Sequence, residues 1–472
     1  MADLIRHPAD LRGRRILLMG LGVNQGGVGV ARFLAARGAE VRVTDLQSGE
    51  TLADALGSLS GLEITYTLGR HDEADFEWAE LVVRNPAVPR ESPWLELARR
   101  HGAQVEMEMT LFFRLCPAPI VGVTGTKGKT TTTAILATIL RQQWPDTVMA
   151  GNMGRTALGQ LDDIQDDVPV VLELSSFQLE ALDEQGLSPH VAVLTNISED
   201  HLDRYSSLES YAQVKASIAR HQSSDSWAIF SREDELANTL MASMPGQRAT
   251  FGVAPADSAH ALWLEGGRFA GRWAGELLDL GAVEALAISG EHTRLNALAA
   301  AAAALAVGVS PGAIARGIAA AEPIPNRLEK IATIDGVDYI NDTTATTPAA
   351  TVAAMQSFGD RNIVAIAGGS GKKVSLAPLA DALANQAGRV ILLDGAATPG
   401  LMDLLNERRF SAIDGPVGSM DDAVQLASQA ATPGSVVLLS PGCASFGMFR
   451  NEFQRGDAFR AAVARLTGGD ER

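Results

Sequence analysis

The sequence predicts an α/β protein, and three observations carry that prediction. Short apolar runs alternate with amphipathic helical patterns along most of the chain, the rhythm of βα units stacked on mostly parallel sheets. Glycine-rich turns follow three of those runs directly, at Gly20–Gly29, Gly122–Lys129 and Gly368–Lys373, where a strand hands over to a helix. The length of 472 residues, at about 150 per domain, suggests about three domains.

Composition narrows the function classes. With 46% hydrophobic and 20% charged residues, the chain is neither collagenous, nor a coiled coil, nor disordered. Lys and Arg total 39 against 56 Asp and Glu, a formal net charge of −17, and no basic run interrupts the acidic background. A nucleic-acid partner is therefore not expected, and an anionic ligand would have to be held by helix N-termini and single lysines. Cys116 and Cys443 indicate neither a disulfide framework nor a zinc site, and the chain reads as cytoplasmic. The apolar run Ala297–Val307 falls short of the roughly 20 residues of a membrane span. It reads as a buried Ala-rich helix, with no membrane partner expected.

In order, the first unit predicts a strand over Ile16–Met19, a Gly-rich turn, a helix over Val30–Arg37 and a strand over Val41–Thr44 ending in Asp45. Cys116-Pro-Ala-Pro119 precedes a strand over Ile120–Val123 and sets a first boundary near residue 113. Strands over Val170–Leu174 and Val191–Thr195, and the Ala-rich helix after Asn296, belong to a second domain. Pro323-Ile-Pro325 reads as a linker, because each proline biases the residue before it away from helix. Strands near Ile363–Ala367, Val390–Leu393 and Val436–Leu439 follow, so the expected domains are 1–113, 114–322 and 323–472.

The strongest motif is Gly122-Val-Thr-Gly125-Thr126-Lys127-Gly128-Lys129-Thr130-Thr131, set between an apolar strand and a helical pattern. Gly125 and Gly128 let backbone N–H groups turn onto a triphosphate, Lys129 supplies a charge to its β and γ phosphates, and Thr130 offers a hydroxyl to Mg²⁺. Glu173 ends an apolar strand on the same sheet edge and is a candidate metal ligand. Asn196-Ile-Ser-Glu-Asp200-His201-Leu-Asp203 brings an imidazole and carboxylates to that region, a donor set suited to a divalent ion bridging phosphate oxygens. Gly20-Leu-Gly22 with Gly26-Gly27-Val-Gly29, and Asp45 closing the next strand, resemble a dinucleotide fingerprint with an insertion; a nucleotide-like ligand and a plain tight turn both fit. Gly368-Gly-Ser-Gly-Lys372-Lys373 and Ser440-Pro-Gly-Cys-Ala-Ser445-Phe446 are each a carboxylate site or a structural loop.

Taken together and in order, Gly125–Thr131, Gly151-Asn152-Met-Gly154, Leu172–Glu180, Asn196–Arg204, Asn326-Arg327-Leu-Glu329, Asn341-Asp342 and Ser440–Gly456 resemble the Mur ligases, which make the peptide stem of peptidoglycan. The resemblance implies a Rossmann-like N-terminal domain for a UDP substrate, a central P-loop ATPase-type domain on a mostly parallel sheet, and a C-terminal Rossmann-like α/β domain for the incoming amino acid. It implies an ADP-forming C–N ligase. Leu172–Glu180 and Leu439–Gly456 most resemble the member that adds D-glutamate to UDP-N-acetylmuramoyl-L-alanine through an acyl phosphate, with L-glutamate or another amino acid as the alternative. A carboxylate is a poor electrophile until one oxygen becomes a phosphate leaving group, and positioned cations offset the charge gathered there.

By position, the resemblance gives Gly22, Gly27, Asp45 and Asn152 to the UDP substrate, with Asp45 at the uracil and the Gly22–Gly29 turn at the diphosphate. Gly125, Thr126, Lys127, Gly128, Lys129, Thr130 and Thr131 go to ATP, joined by Asn296, Arg327 and Asp342 at its adenine, phosphate and ribose. Lys129, Glu173, His201 and Lys215 form the implied catalytic set, with Thr130, Glu173, His201 and Lys215 serving two Mg²⁺ ions. Lys215 matches a lysine that members carbamylate into an anionic ligand. Thr346, Lys372, Ser445 and Phe446 go to the glutamate, and a monomer is implied.

Several positions depart from the family pattern. Thr344 replaces a common Lys, Asn326 a His, Thr293 the Asn of a His-Asn pair and Ser370 a frequent Asp, and Asn451-Glu-Phe stands for Asn-Phe-Glu. Ligation survives these changes, while the amino acid and its configuration stay open. Two other classes compete: a dinucleotide-dependent oxidoreductase, disfavoured by Lys129-Thr130 and the absence of an evident hydride-site acid, and a regulatory nucleotide switch, which lacks an Asn-Lys-x-Asp tetrapeptide.

Overall fold

A computed structural model describes residues 5–22, 25–152, 156–199, 204–288, 290–371 and 375–467. The chain forms two compact units, Met1–Glu322 and Pro323–Arg472. Three mostly parallel sheets carry the fold, two in the first unit and one in the second.

The first sheet contains β1 (Arg15–Met19), β2 (Glu40–Asp45), β3 (Ile64–Leu68), β4 (Leu81–Arg84) and β5 (Gln104–Met107), in the order β3-β2-β1-β4-β5 and parallel throughout. Strand growth reverses between β1 and β4, so the crevice where such sheets bind ligands opens beyond the carboxyl ends of these two strands. The helix after β1 runs Gln25–Ala36, starting before the predicted Val30. Gly26, Gly27 and Gly29 are therefore helical rather than part of the turn. The reason is close packing: a side chain at Gly27 would come 2.1 Å from the Leu21 carbonyl oxygen.

The second sheet holds β6 (Ile120–Thr124), β7 (Met149–Gly151), β8 (Val170–Glu173), β9 (Val191–Leu194), β10 (Trp227–Ser231), β11 (Gln247–Phe251), β12 (Ala261–Glu265), β13 (Arg268–Trp273) and β14 (Glu276–Ala282). Their order is β14-β13-β12-β11-β10-β9-β6-β8-β7. β6, β8 and β9 are buried at every position, as strands covered on both faces must be. The Ala-rich helix, Glu291–Ala306, starts ahead of the predicted Ala297, and Ala297–Ala304 are fully buried. Its small side chains allow close packing on the helix Lys129–Leu140. The antiparallel extension β12-β13-β14 was not anticipated; left-handed residues Gly266, Gly267, Ala274 and Gly275 turn its two hairpins.

The third sheet has β15 (Glu329–Ile334), β16 (Val337–Asn341), β17 (Ile363–Gly368), β18 (Ala387–Leu393), β19 (Ile413–Val417) and β20 (Val436–Leu439), ordered β15-β16-β20-β17-β18-β19. Only the β15–β16 pair is antiparallel. Because β20 inserts between β16 and β17, the turns that leave these three strands lie side by side. Among the described residues, no helix is long and apolar enough to cross a membrane.

Candidate active site

The phosphate loop is built by the exits of two neighbouring strands. β6 leaves through Gly125 (φ +148°) and Gly128 (φ +83°), and the helix begins at Lys129. A side chain at Gly125 would lie 1.9 Å from Thr195 Oγ1, and one at Gly128 2.4 Å from Asn296 Oδ1, so only glycine keeps these backbone surfaces open. Lys129 Nζ donates to the carbonyls of Gly125 and Thr126, each at 3.0 Å, which holds the ammonium over the loop. From β9, Thr195 Oγ1 donates to the Lys127 carbonyl at 2.6 Å. Asn196 accepts from the Lys127 N–H at 3.0 Å and donates back to its carbonyl at 2.9 Å. Thr195 and Asn196 thus shape the loop without being among the predicted site residues. The signal was present, since Asn196 heads a motif already singled out. Thr130 and Thr131 sit half-buried in the first helical turn, where free N–H groups favour an anion.

Glu173 closes β8 and is 3% exposed. Its Oε1 accepts from Asn152 Nδ2 at 3.2 Å, while its Oε2 is buried with no hydrogen-bond partner among the described residues. A buried carboxylate oxygen without a donor is costly, and a cation would satisfy it, so the donor chemistry fits Mg²⁺. Asn152 and Glu173, predicted for different ligands, are brought together because β7 pairs with β8 and the Asn152 N–H donates to the Glu173 carbonyl at 2.9 Å. Lys215, in the helix Leu208–Ala216, is 2% exposed, donates to Thr124 Oγ1 at 3.3 Å and faces the Tyr211 ring at 5.1 Å. Thr124 is the residue that feeds the phosphate loop. His201 lies outside the described residues, and among those described no three His, Cys, Asp or Glu side chains form a metal cluster.

At the first sheet, Asp45 is buried and its carboxylate is used internally: Oδ2 accepts the Gly22 N–H at 2.9 Å and Oδ1 the Gln47 N–H at 2.8 Å. Asn85, which follows β4, was not predicted. Its N–H donates to the Met19 carbonyl at 2.9 Å, and its Cβ would lie 2.8 Å from a side chain at Gly20.

In the second unit, Asp342 ends β16 and is 5% exposed. It accepts from Ser440 Oγ at 2.8 Å and from the Leu328 N–H at 3.2 Å. Burial pushes its carboxyl up to about 6, against the opposing pull of the Ser440 hydrogen bond and the Arg327 charge. The two late Gly-rich turns, ambiguous singly, are one hydrogen-bonded unit. Ser370 N–H donates to the Ala444 carbonyl at 2.9 Å, Ala444 N–H to the Ser370 carbonyl at 3.1 Å, and the Ser370 hydroxyl to the Phe446 carbonyl. Ser445 is buried, Phe446 is 50% exposed, and the Thr346 N–H donates to the Thr344 carbonyl at 2.9 Å. Lys372 lies outside the described residues. Arg455 was missed: 1% exposed, its guanidinium donates to Thr343 Oγ1 (3.0 Å), the Thr343 carbonyl (2.9 Å) and the Cys443 carbonyl (3.2 Å), pinning two turns. Burial lowers it to about 10.

Over 469 residues, 97% of this chain and 100% of the relative, the sequence is 47% identical to the UDP-N-acetylmuramoylalanine--D-glutamate ligase of Roseiflexus sp. (strain RS-1). The chain belongs to the Mur ligase family. Three family models divide this Mur ligase between them: the Mur ligase MurD-like N-terminal domain over residues 14–106, the Mur ligase middle domain over 123–304 and the Mur ligase glutamate ligase domain over 326–443. The ligase of the same name from Geotalea daltonii is 36% identical, covering 98% of this chain and 99% of its own. Among solved structures, the UDP-N-acetylmuramate-alanine ligase MurC of Thermotoga maritima superposes with a TM-score of 0.60 at 21% identity, over 97% and 100% of the two chains. FolC of E. coli, in complex with DHPP and ADP, gives 0.54 at 20% identity over 76% and 93%. At those identities the likeness is one of fold.

Proposed function

We propose that this Mur ligase is an ATP-dependent amide ligase that joins D-glutamate to UDP-N-acetylmuramoyl-L-alanine, releasing ADP and phosphate. The observation that carries the reading is the full-length match to ligases of that name, in a chain that gathers the phosphate loop, Asn152, Glu173 and Lys215 at the ends of adjacent strands. A Mur-type ligase for L-glutamate or another amino acid is the alternative.

In this reading the N–H groups of Gly125–Thr131 and the Lys129 ammonium bind the ATP phosphates, and Asn296 lies at the adenine. Lys129 leaves its two loop carbonyls for the γ-phosphate, placing a fixed charge where negative charge accumulates during transfer. Thr130, Glu173, His201 and Lys215, the last as its carbamate, are the residues proposed to hold two Mg²⁺ ions. Bound there, the ions would neutralise the charge between the triphosphate and the substrate carboxylate. Carbamylation joins the Lys215 nitrogen to CO₂ with loss of one proton, converting a buried amine into an oxygen donor. Asn152 holds Glu173 in line and is also proposed to contact the UDP substrate. Gly22 and Gly27 lie at its diphosphate, and Asp45 both fixes the Gly22 turn and offers its remaining lone pairs to the uracil.

The carboxylate of UDP-N-acetylmuramoyl-L-alanine attacks the γ-phosphate, giving an acyl phosphate and ADP. The amine of glutamate then adds to the acyl carbon, and phosphate leaves. In the second unit, Arg327 and Asp342 are assigned to the phosphate and ribose of ATP, and Thr346, Lys372, Ser445 and Phe446 to the glutamate. The domain assignment is 1–113 for the UDP substrate, 114–322 for ATP and 323–472 for the amino acid. A cytoplasmic monomer completes the proposal. Phosphate release with Mg²⁺-ATP and UDP-N-acetylmuramoyl-L-alanine, in the presence of D-Glu, L-Glu or neither, tests it. Release dependent on D-Glu is expected; release with L-Glu alone would select the alternative.

A further inference from the structure

The segment Asn326-Arg327-Leu328 has an unusual backbone. Asn326 (φ +68°) and Leu328 (φ +44°) both occupy the left-handed region, on either side of an exposed arginine. Asparagine tolerates that region; leucine does not, and it stays there only where its surroundings enforce it.

The enforcement is visible. Asn326 N–H donates to Glu329 Oε2 at 2.6 Å, and Leu328 N–H to Asp342 Oδ1 at 3.2 Å. The Asn326 carbonyl accepts from Thr344 Oγ1 at 3.0 Å, and Asn326 Oδ1 accepts from Asn341 Nδ2 at 3.0 Å. One side chain ties the set together from far away in sequence. Arg460, in the helix Glu452–Thr467, donates to Asn326 Oδ1 at 3.0 Å and to both oxygens of Glu329, at 3.2 Å and 2.8 Å. The planar guanidinium grips both Glu329 oxygens from two nitrogens while one of them also reaches Asn326, a fork that a lysine ammonium, a single point charge, does not reproduce. The fit is tight, since a side chain at Gly456 on the same helix would come 2.1 Å from Asn326 Oδ1. The network also explains Asn326 in place of histidine: its amide suits a left-handed residue, and its oxygen takes two donors.

We propose that Arg460 is a positioning residue for the ATP phosphates, acting through the clamped loop that presents Arg327. This rests on the assignment of Arg327 to an ATP phosphate. Without Arg460, Asn326 and Glu329 keep Asn341 Nδ2 as a shared donor, at 3.0 Å and 3.3 Å, but lose the charged one that grips both Glu329 oxygens. The loop then relaxes toward negative φ, and the Arg327 guanidinium moves off its target.

Steady-state kinetics of the full chain test this with Arg460→Ala, Arg327→Ala and the double variant. Arg460→Ala is expected to raise KM for ATP about tenfold, with KM for UDP-N-acetylmuramoyl-L-alanine changed less than about twofold. The double variant should be no worse than Arg327→Ala alone, because the two residues act as one unit. Equal rises in both KM values, or full additivity with Arg327→Ala, would overturn the positioning role. An unchanged KM for ATP in Arg327→Ala would overturn the assignment of Arg327 itself, and the proposal with it. Should Arg460→Ala fail to fold, Glu329→Gln takes its place: an ATP-selective rise of a few-fold, absorbed by Arg327→Ala, supports the clamp, and no selective rise overturns it.

Discussion

The carboxyl edge of the central sheet and that of the C-terminal sheet handle buried polar groups in opposite ways. At the central edge a carboxylate oxygen of Glu173 is left without a donor among the described residues, and Lys129 is parked on carbonyls of its own loop. At the C-terminal edge the described groups have protein partners: Asp342 takes Ser440 and Leu328, and Ser370 joins Ala444 and Phe446. Among the described residues the first edge leaves a carboxylate oxygen unsatisfied, and in the proposed function a cation completes it. The second is a set of mutually fastened turns, which in the proposed function hold the amino acid by shape.

If that contrast is right, substitutions at the central edge cost activity and spare stability. The largest effect belongs to Lys129→Ala, expected to lower phosphate release by at least about 10³-fold through loss of the positioned charge; turnover near that of the parent would break the ATP-site assignment. Next, Glu173→Gln should reduce turnover by about 10²-fold, with melting temperature within a few degrees of the parent, since Oε2 has no described protein donor to lose. A large fall in melting temperature would mean that this oxygen is structural after all.

At the C-terminal edge the order reverses for Asp342. Its carboxyl is raised from the ordinary 3.8 to about 6 by burial, so between those pH values the folded protein holds the proton more tightly than the unfolded chain. Stability therefore falls as pH rises from about 4 to about 6 and is flat for this group above that. Asp342→Asn removes the slope: the melting temperature of the variant relative to the parent should climb from pH 4 to pH 7. A constant difference across that range would contradict the raised carboxyl. The smallest effect is expected for Phe446→Ala. Half exposed, it should change stability by less than about 0.5 kcal/mol while raising KM for glutamate a few-fold.

The same contrast explains what the sequence disclosed. The phosphate loop was legible because two glycines, a lysine and a threonine must follow one another at a strand-to-helix junction, so local order encodes the site. The α/β class was legible for a similar reason, as β6, β8 and β9 are continuous apolar runs. The pairing of the Ser370 and Ala444 turns was not, because it arises from β20 inserting between β16 and β17. Arg455 and Arg460 were invisible on a helix where arginine normally reads as a solvated face, although one is fully buried and the other bridges to Glu329. Asp45 was singled out as a contact to a nucleotide-like ligand, and in the fold its carboxylate accepts the Gly22 N–H, a long-range partner that the sequence does not show. The hairpins after β12 were overlooked because their signal is a few left-handed turn residues rather than a periodic run.

The most direct test of the account labels both carboxylate oxygens of UDP-N-acetylmuramoyl-L-alanine with ¹⁸O and follows the label during reaction with Mg²⁺-ATP and D-glutamate. Attack of that carboxylate on the γ-phosphate predicts one ¹⁸O in the released phosphate, one retained in the new amide, and a product heavier by one glutamate residue. Unlabelled phosphate would show that the carboxylate is never phosphorylated and would contradict the proposed mechanism.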